Sequence, residues 1–153
     1  TDAAAELGAT VERVQTAPEF RRRLVKRGAE GVLVDMVRER APQGVSDKPV
    51  IDGVRVDPPL EILANKLCAM LSRGEVRDLV DAQHLERAGC SLEAAFELAQ
   101  RKDGGLSAAQ LAWVLGEIRI GDDARIPSDT KPAELRAYIT SLRERLERSS
   151  FPR

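Results

Sequence analysis

The chain has 153 residues, 42% of them apolar, enough for one domain or two small lobes with a real core and too hydrophobic for a disordered chain. The formal net charge is −1, so there is no global attraction for nucleic acid or an anionic membrane, and any such binding has to use a local patch. Aromatics make up 3%, so the core has to be built from Leu, Val, Ile and Ala, and the longest apolar run is far short of a membrane span.

The first third reads as strands. Asp2 to Leu7 is Ala-rich and reads as the tail of a helix ending at Gly8. Val11 to Gln15 alternates apolar and polar residues, as a half-buried strand does, and Pro18 breaks it. Glu19 to Arg27 and Val32 to Arg38 are two further predicted strands, joined as a hairpin through Gly28-Ala-Glu-Gly31, and the nearly continuous apolar run Val32 to Val37, with Asp35 as its one polar member, reads as a central strand. Ala41 to Pro49 is loop-like. Val50 to Val56 carries an Asp-Gly that marks either a tight hairpin or a bend in one strand.

From Asp57 the apolar period changes from two to 3.6. Asp57 is the expected N-cap, with Pro58 and Pro59 in the first turn and Leu60, Leu63, Ala64, Leu67 and Leu71 as the apolar stripe. Gly74 punctuates, and Glu75 to Arg87 forms the second helix. Ser91 starts a third, to about Gln100. Ser107 caps a fourth, to about Ile118, which carries Trp113. Gly121 to Thr130 is a loop, and Pro132 to Arg148 is a charged last helix with Leu135, Tyr138, Ile139, Leu142 and Leu146 on one face. The pattern is α+β: a few strands followed by five helices.

Four groups of residues carry chemistry. Lys66 and Arg73 are seven apart, close to two helical turns, so they project the same way. At the edge of the apolar stripe, Lys66 either presents a point charge to a phosphate or snorkels its head into water. In Arg77-Asp78-Leu-Val-Asp81 the acids sit in early turns of a helix, which the macrodipole favours, and the two carboxylates share a face. Such a pair holds a metal, positions a hydroxyl or tethers a cation. Arg77 and Asp81 could equally form an ordinary surface pair. Asp35 is a carboxylate inside an apolar strand, and has to face solvent, meet a cation or bind metal. In the run Arg21 to Arg27, Arg21, Arg23 and Arg27 share one strand face while Arg22 and Lys26 share the other, a pattern of a solvated strand or of a surface that steers phosphates. His84 reads as structural. Cys68 and Cys90 read as reduced thiols of a cytoplasmic protein, and no secretory signal is expected. No Gly-rich phosphate loop, zinc motif or Ser-His-Asp order is visible.

The segment from about Gly53 to Leu85 resembles the AbiEii/AbiGii nucleotidyltransferase toxins of abortive-infection and toxin–antitoxin systems. A strand ending Val-Asp-Pro is followed by Leu-Glu-Ile-Leu-Ala-Asn-Lys-Leu, Met-Leu-Ser-Arg and Arg-Asp-Leu-Val-Asp-Ala-Gln-His-Leu. The resemblance covers residues 1 to about 120 and is specific in 57–85. It implies a polymerase-β-like palm sheet, partial over 1–56, a helical lobe over 57–120 carrying both motifs, and a loop and last helix over 121–153. It implies catalytic roles for Lys66, Asp78 and Asp81, substrate binding by Arg73 and Arg77, and a metal-binding Asp35. It also implies Mg2+ or Mn2+ as cofactor, an NTP as substrate, tRNA, another RNA or a protein as acceptor, and an antitoxin as partner. The family's upstream Gly-rich loop and Asp-x-Asp pair are missing, and Asp122-Asp123 stands in the wrong context to replace them. The expectation is therefore a chain that starts partway into the fold and is inactive as it stands. The alternative is a non-enzymatic interaction module in which the charged cluster is structural.

Overall fold

The computed structural model describes residues 2–38 and 42–150. The chain forms two compact units, Thr1–Ala41 and Pro42–Arg153. Helices and small antiparallel sheets are mixed, as an α+β chain requires.

The first unit starts with a short helix, α1 (Asp2–Glu6), and continues as a three-stranded antiparallel meander: β1 (Thr10–Ala17), β2 (Phe20–Arg27) and β3 (Glu30–Val37) in the order β1-β2-β3. The β2–β3 register runs from Phe20 opposite Val37 to Arg27 opposite Glu30, so the connection is the two residues Gly28-Ala29, shorter than the four-residue turn expected. Between β1 and β2 the register shifts at Arg13/Gln15, where a bulge admits Val14. None of the described side chains of this unit is buried, so β1 is not the half-buried strand expected, and β3, whose apolar run reads as a central strand, is an edge strand because β2 pairs it on one side only.

The second unit begins with the loop predicted over Ala41 to Pro49, whose first residue lies outside the described residues. A small hairpin follows, β4 (Val50–Ile51) and β5 (Val54–Arg55). Asp52 and Gly53 both have positive φ, 49° and 79°, so the Asp-Gly makes a tight primed turn and the bent-strand option falls.

Five helices build the core: α2 (Pro59–Arg73), α3 (Val76–Arg87), α4 (Leu92–Lys102), α5 (Ala108–Glu117) and α6 (Pro132–Ser150). Asp57 is not the cap of α2. Pro58 stands at that position without a side-chain bond, and Asp57 is ion-paired to Lys48 instead. Ser91 and Ser107 do cap, each accepting a 3.2 Å hydrogen bond from the backbone N–H three residues on, at Ala94 and Gln110. α2 packs on α3, α4 and α5, and α5 on α6. Their stripes meet in a core that includes Leu63, Leu67, Leu79, Leu98, Leu115 and Leu142, all buried. Full burial of a Leu is worth about 1.5–3 kcal/mol, so this leucine core is the main source of the unit's stability. No helix among the described residues is long and apolar enough to cross a membrane.

Candidate active site

The junction of α2 and α3 is set by one residue. Gly74 adopts the left-handed conformation (φ 56°, ψ 34°) and returns its N–H to the Met70 carbonyl at 3.0 Å, which stops α2 at Arg73. Glu75 is extended, and α3 starts at Val76. This two-residue connection folds the first turn of α3 back beside the last turns of α2. Asp78 therefore arrives between Lys66 and Arg73.

Asp78 is fully buried and receives three hydrogen bonds. Its Oδ1 accepts from Lys66 Nζ at 3.1 Å and from Arg73 Nη2 at 3.0 Å, while Oδ2 accepts from Arg73 Nε at 2.9 Å. The guanidinium thus grips the carboxylate with two parallel bonds, the strong geometry for this pair. Lys66 also reaches Asp81 Oδ2 at 2.5 Å. The amine and both carboxylates converge. Burial alone pushes the Asp78 carboxyl up, but the bonds from Arg73 and Lys66 outweigh it and hold it below the usual carboxylate range. Burial likewise works against the Lys66 ammonium, and Asp81 and Asp78 overcome it, so its pKa is raised.

The cluster is anchored inside and open outside. The Asp81 and Arg73 side chains are 47% and 45% exposed, and Lys66 is 23% exposed. Arg73 uses two of a guanidinium's five N–H groups on Asp78, and Lys66 uses two of an ammonium's three on Asp78 and Asp81. The donors left over sit on part-exposed side chains, open to water or to an anion. Arg77 lies apart from this arrangement: its Nε is 2.6 Å from Glu75 Oε2, so the i,i+4 pair with Asp81 does not form.

Asp35 is in the first unit, on the sheet face that also carries Arg22. The two residues are opposed across β2 and β3, and Arg22 Nε and Nη2 donate to Asp35 Oδ1 and Oδ2, both at 2.7 Å. Of the three options open for this carboxylate, it takes the cation. The described residues do not fit a divalent metal: no three His, Cys, Asp or Glu side chains gather as a site, both oxygens of Asp78 are bonded to cations, and so are both oxygens of Asp35.

A second buried cluster escapes the sequence reading. Glu61, fully buried in the first turn of α2, accepts from the backbone N–H groups of Gly44 (3.1 Å) and Val45 (3.0 Å) and is ion-paired to Lys102, which also bonds Asn65. An acid in a first turn reads as ordinary dipole compensation. The available signal is the i,i+4 spacing of Glu61 and Asn65 beside the apolar stripe. Gly44 is needed there, since a Cβ would sit 1.9 Å from Leu98 Cδ1. Cys68 and Cys90 are free thiols, and burial pushes the Cys68 thiol up.

Neither a search of curated proteins nor one of solved structures finds a match to this chain. The family model described as nucleotidyl transferase AbiEii toxin, type IV TA system, matches residues 10–150, from the first strand through the last helix. With the match spanning nearly the whole chain, including the α2 and α3 segments that hold Lys66, Arg73, Asp78 and Asp81, the chain belongs to the AbiEii family of nucleotidyltransferase toxins.

Proposed function

We propose that the α2–α3 cluster takes the phosphates of a nucleoside triphosphate during nucleotidyl transfer to an RNA, such as a tRNA, or to a protein. The observation that carries this reading is the pairing of a sealed carboxylate with open cations. Asp78 is a positioning residue that fixes Lys66 and Arg73, so their remaining donors meet phosphate without first being ordered. In the transfer an acceptor hydroxyl oxygen bonds the α-phosphorus, the bond to the β-phosphate oxygen breaks, and pyrophosphate leaves. Lys66 stabilises charge on the phosphates. Asp81, the more exposed carboxylate, accepts the hydrogen bond, and then the proton, of the attacking hydroxyl. Arg73 contacts the phosphates directly, and Arg77, beside Glu75, meets the substrate farther out.

Mg2+ or Mn2+ belongs to this chemistry by family, and Asp35, the third carboxylate that the family's palm sheet would offer, would have to leave Arg22 to hold it. Arg22 holds that carboxylate, and no step is assigned to a metal. The proposal is accordingly a chain that binds NTP and supplies these groups but, with no described cluster of carboxylates free to hold the metal, does not turn it over by itself, and that has an antitoxin as its partner in the cell. The rival reading, an interaction module with a structural ion-pair network, draws on one observation: two cations and two carboxylates neutralise one another.

Thermal unfolding with millimolar NTP separates the two. The expected result is a rise in midpoint that Lys66→Ala abolishes; no rise favours the module. In parallel, the purified chain is assayed for transfer from labelled NTP with Mg2+ or Mn2+. None is expected, and metal-dependent turnover that survives Asp35→Ala overturns both the inactivity and the role given to Asp35.

A further inference from the structure

The two faces of the β1–β2–β3 sheet are unlike in charge. On one, each cation is matched by an acid on a neighbouring strand: Arg22 by Asp35, and Lys26 by Glu12 at 2.9 Å. On the other, the paired strand residues place Arg13, Arg21, Arg23 and Arg27 against one acid, Glu30, among the described residues of the three strands. Among the described residues none of these four arginines is bonded to a carboxylate. Arg23 instead donates to backbone carbonyls and to Thr16. The same face carries an apolar lane. Val32, Val34 and Met36 line β3 at 62%, 38% and 46% exposure, and Val25 and Val11 continue one row across β2 and β1.

We propose that this face docks an acidic amphipathic helix supplied by a partner protein. The dimensions fit one helix. Strands lie about 4.8 Å apart, so three present a floor about 10 Å wide, and eight residues run about 26 Å, the length of a helix of about 18 residues. A sheet face is closed by a helix in the common layered architectures. The arginines grip carboxylates through two-pronged bonds, and the valines and Met36 need an apolar stripe between them. A nucleic acid would use the charge but not the lane, and no aromatic side chain stands on this face to stack a base. The inference is independent of the α2–α3 site.

The test uses the full chain and two labelled helical peptides of about 18 residues with the same Leu stripe, one flanked by Glu and one by Lys, in a fluorescence anisotropy titration. The Glu peptide is expected to bind and the Lys peptide to bind at least about tenfold more weakly. Arg21→Glu with Arg23→Glu should invert that order, which a misfolded protein cannot do. Arg21→Gln, a milder change, should weaken the Glu peptide alone. Equal binding of the two peptides, or loss of binding in the double variant without inversion, overturns the proposal. So does a single-stranded RNA of similar charge that displaces the Glu peptide, since that assigns the face to phosphates.

Discussion

Two fully buried carboxylates hold lysines in the helical unit, and they are built to opposite ends. Glu61 closes on itself: Lys102 is 3% exposed, Asn65 takes a further lysine donor, and the amides of Gly44 and Val45 complete the shell. Asp78 is sealed on its own side only, and its partners Lys66 and Arg73 reach solvent with donors to spare. The same chemistry thus makes a strut in one place and a presented, pre-ordered pair of cations in the other. What distinguishes them is where the cation's head lies, not how deeply the acid is buried.

The largest effect should come from the strut. Glu61→Ala leaves Lys102 buried without its carboxylate and two backbone amides unpaired, at a cost of about 3–5 kcal/mol, read as a lower urea midpoint at unchanged slope. Asp78→Ala should cost about 2–3 kcal/mol, less because Arg73 and Lys66 can be rehydrated, and should also remove the NTP-dependent rise in midpoint. Near-equal losses for the two variants would erase the contrast.

Acid sharpens the comparison. Both carboxyls are held below their ordinary values of 4.5 and 3.8: Glu61 by Lys102 and the Gly44 and Val45 amides against the opposing pull of burial, Asp78 by Arg73 and Lys66 against the same pull. Their stabilisation is fully present above those ordinary values and is lost as pH falls through the lowered ones. The urea midpoint should hold through neutral pH and drop in the acid range, and Asp78→Asn should make that limb shallower. The opposite limb follows from groups with raised pKa. Lys66 has burial outweighed by Asp81 and Asp78, and Tyr138 is pushed up by burial and by Glu86, so their contributions are lost as pH rises beyond 10.

Smaller effects separate binding from stability. Lys66→Ala should cost only about 1 kcal/mol, since Arg73 still grips Asp78 with two bonds, yet it should abolish the NTP shift. Arg77→Ala, which removes an exposed pair with Glu75, should change stability by less than about 0.5 kcal/mol.

How far the sequence reveals this depends on separation along the chain. Lys66 and Asp78 are twelve residues apart across one tight helix connection, so helical period and the break at Gly74 leave their side chains within reach of each other. Arg22 and Asp35 are thirteen apart across one hairpin, and the alternation of β2 was legible, but which strand position opposed Asp35 depended on the turn length, two residues rather than four. Glu61 and Lys102 are forty-one residues apart on helices α2 and α4, a distance over which no local period carries information. Asp57 failed as a cap for a local reason: Pro58 took the position, and Lys48 offered the carboxylate a full charge.

The central claim is that Lys66 and Arg73, fixed by Asp78, are presented to the phosphates of a nucleotide. Calorimetric titration of ATP and of inorganic tripolyphosphate into the full chain and into Lys66→Ala tests it most directly. The account predicts saturable binding of both ligands to the parent chain, weakened at least about tenfold by the substitution. Equal affinity of the two proteins, or no heat from either ligand at millimolar concentration, would contradict it.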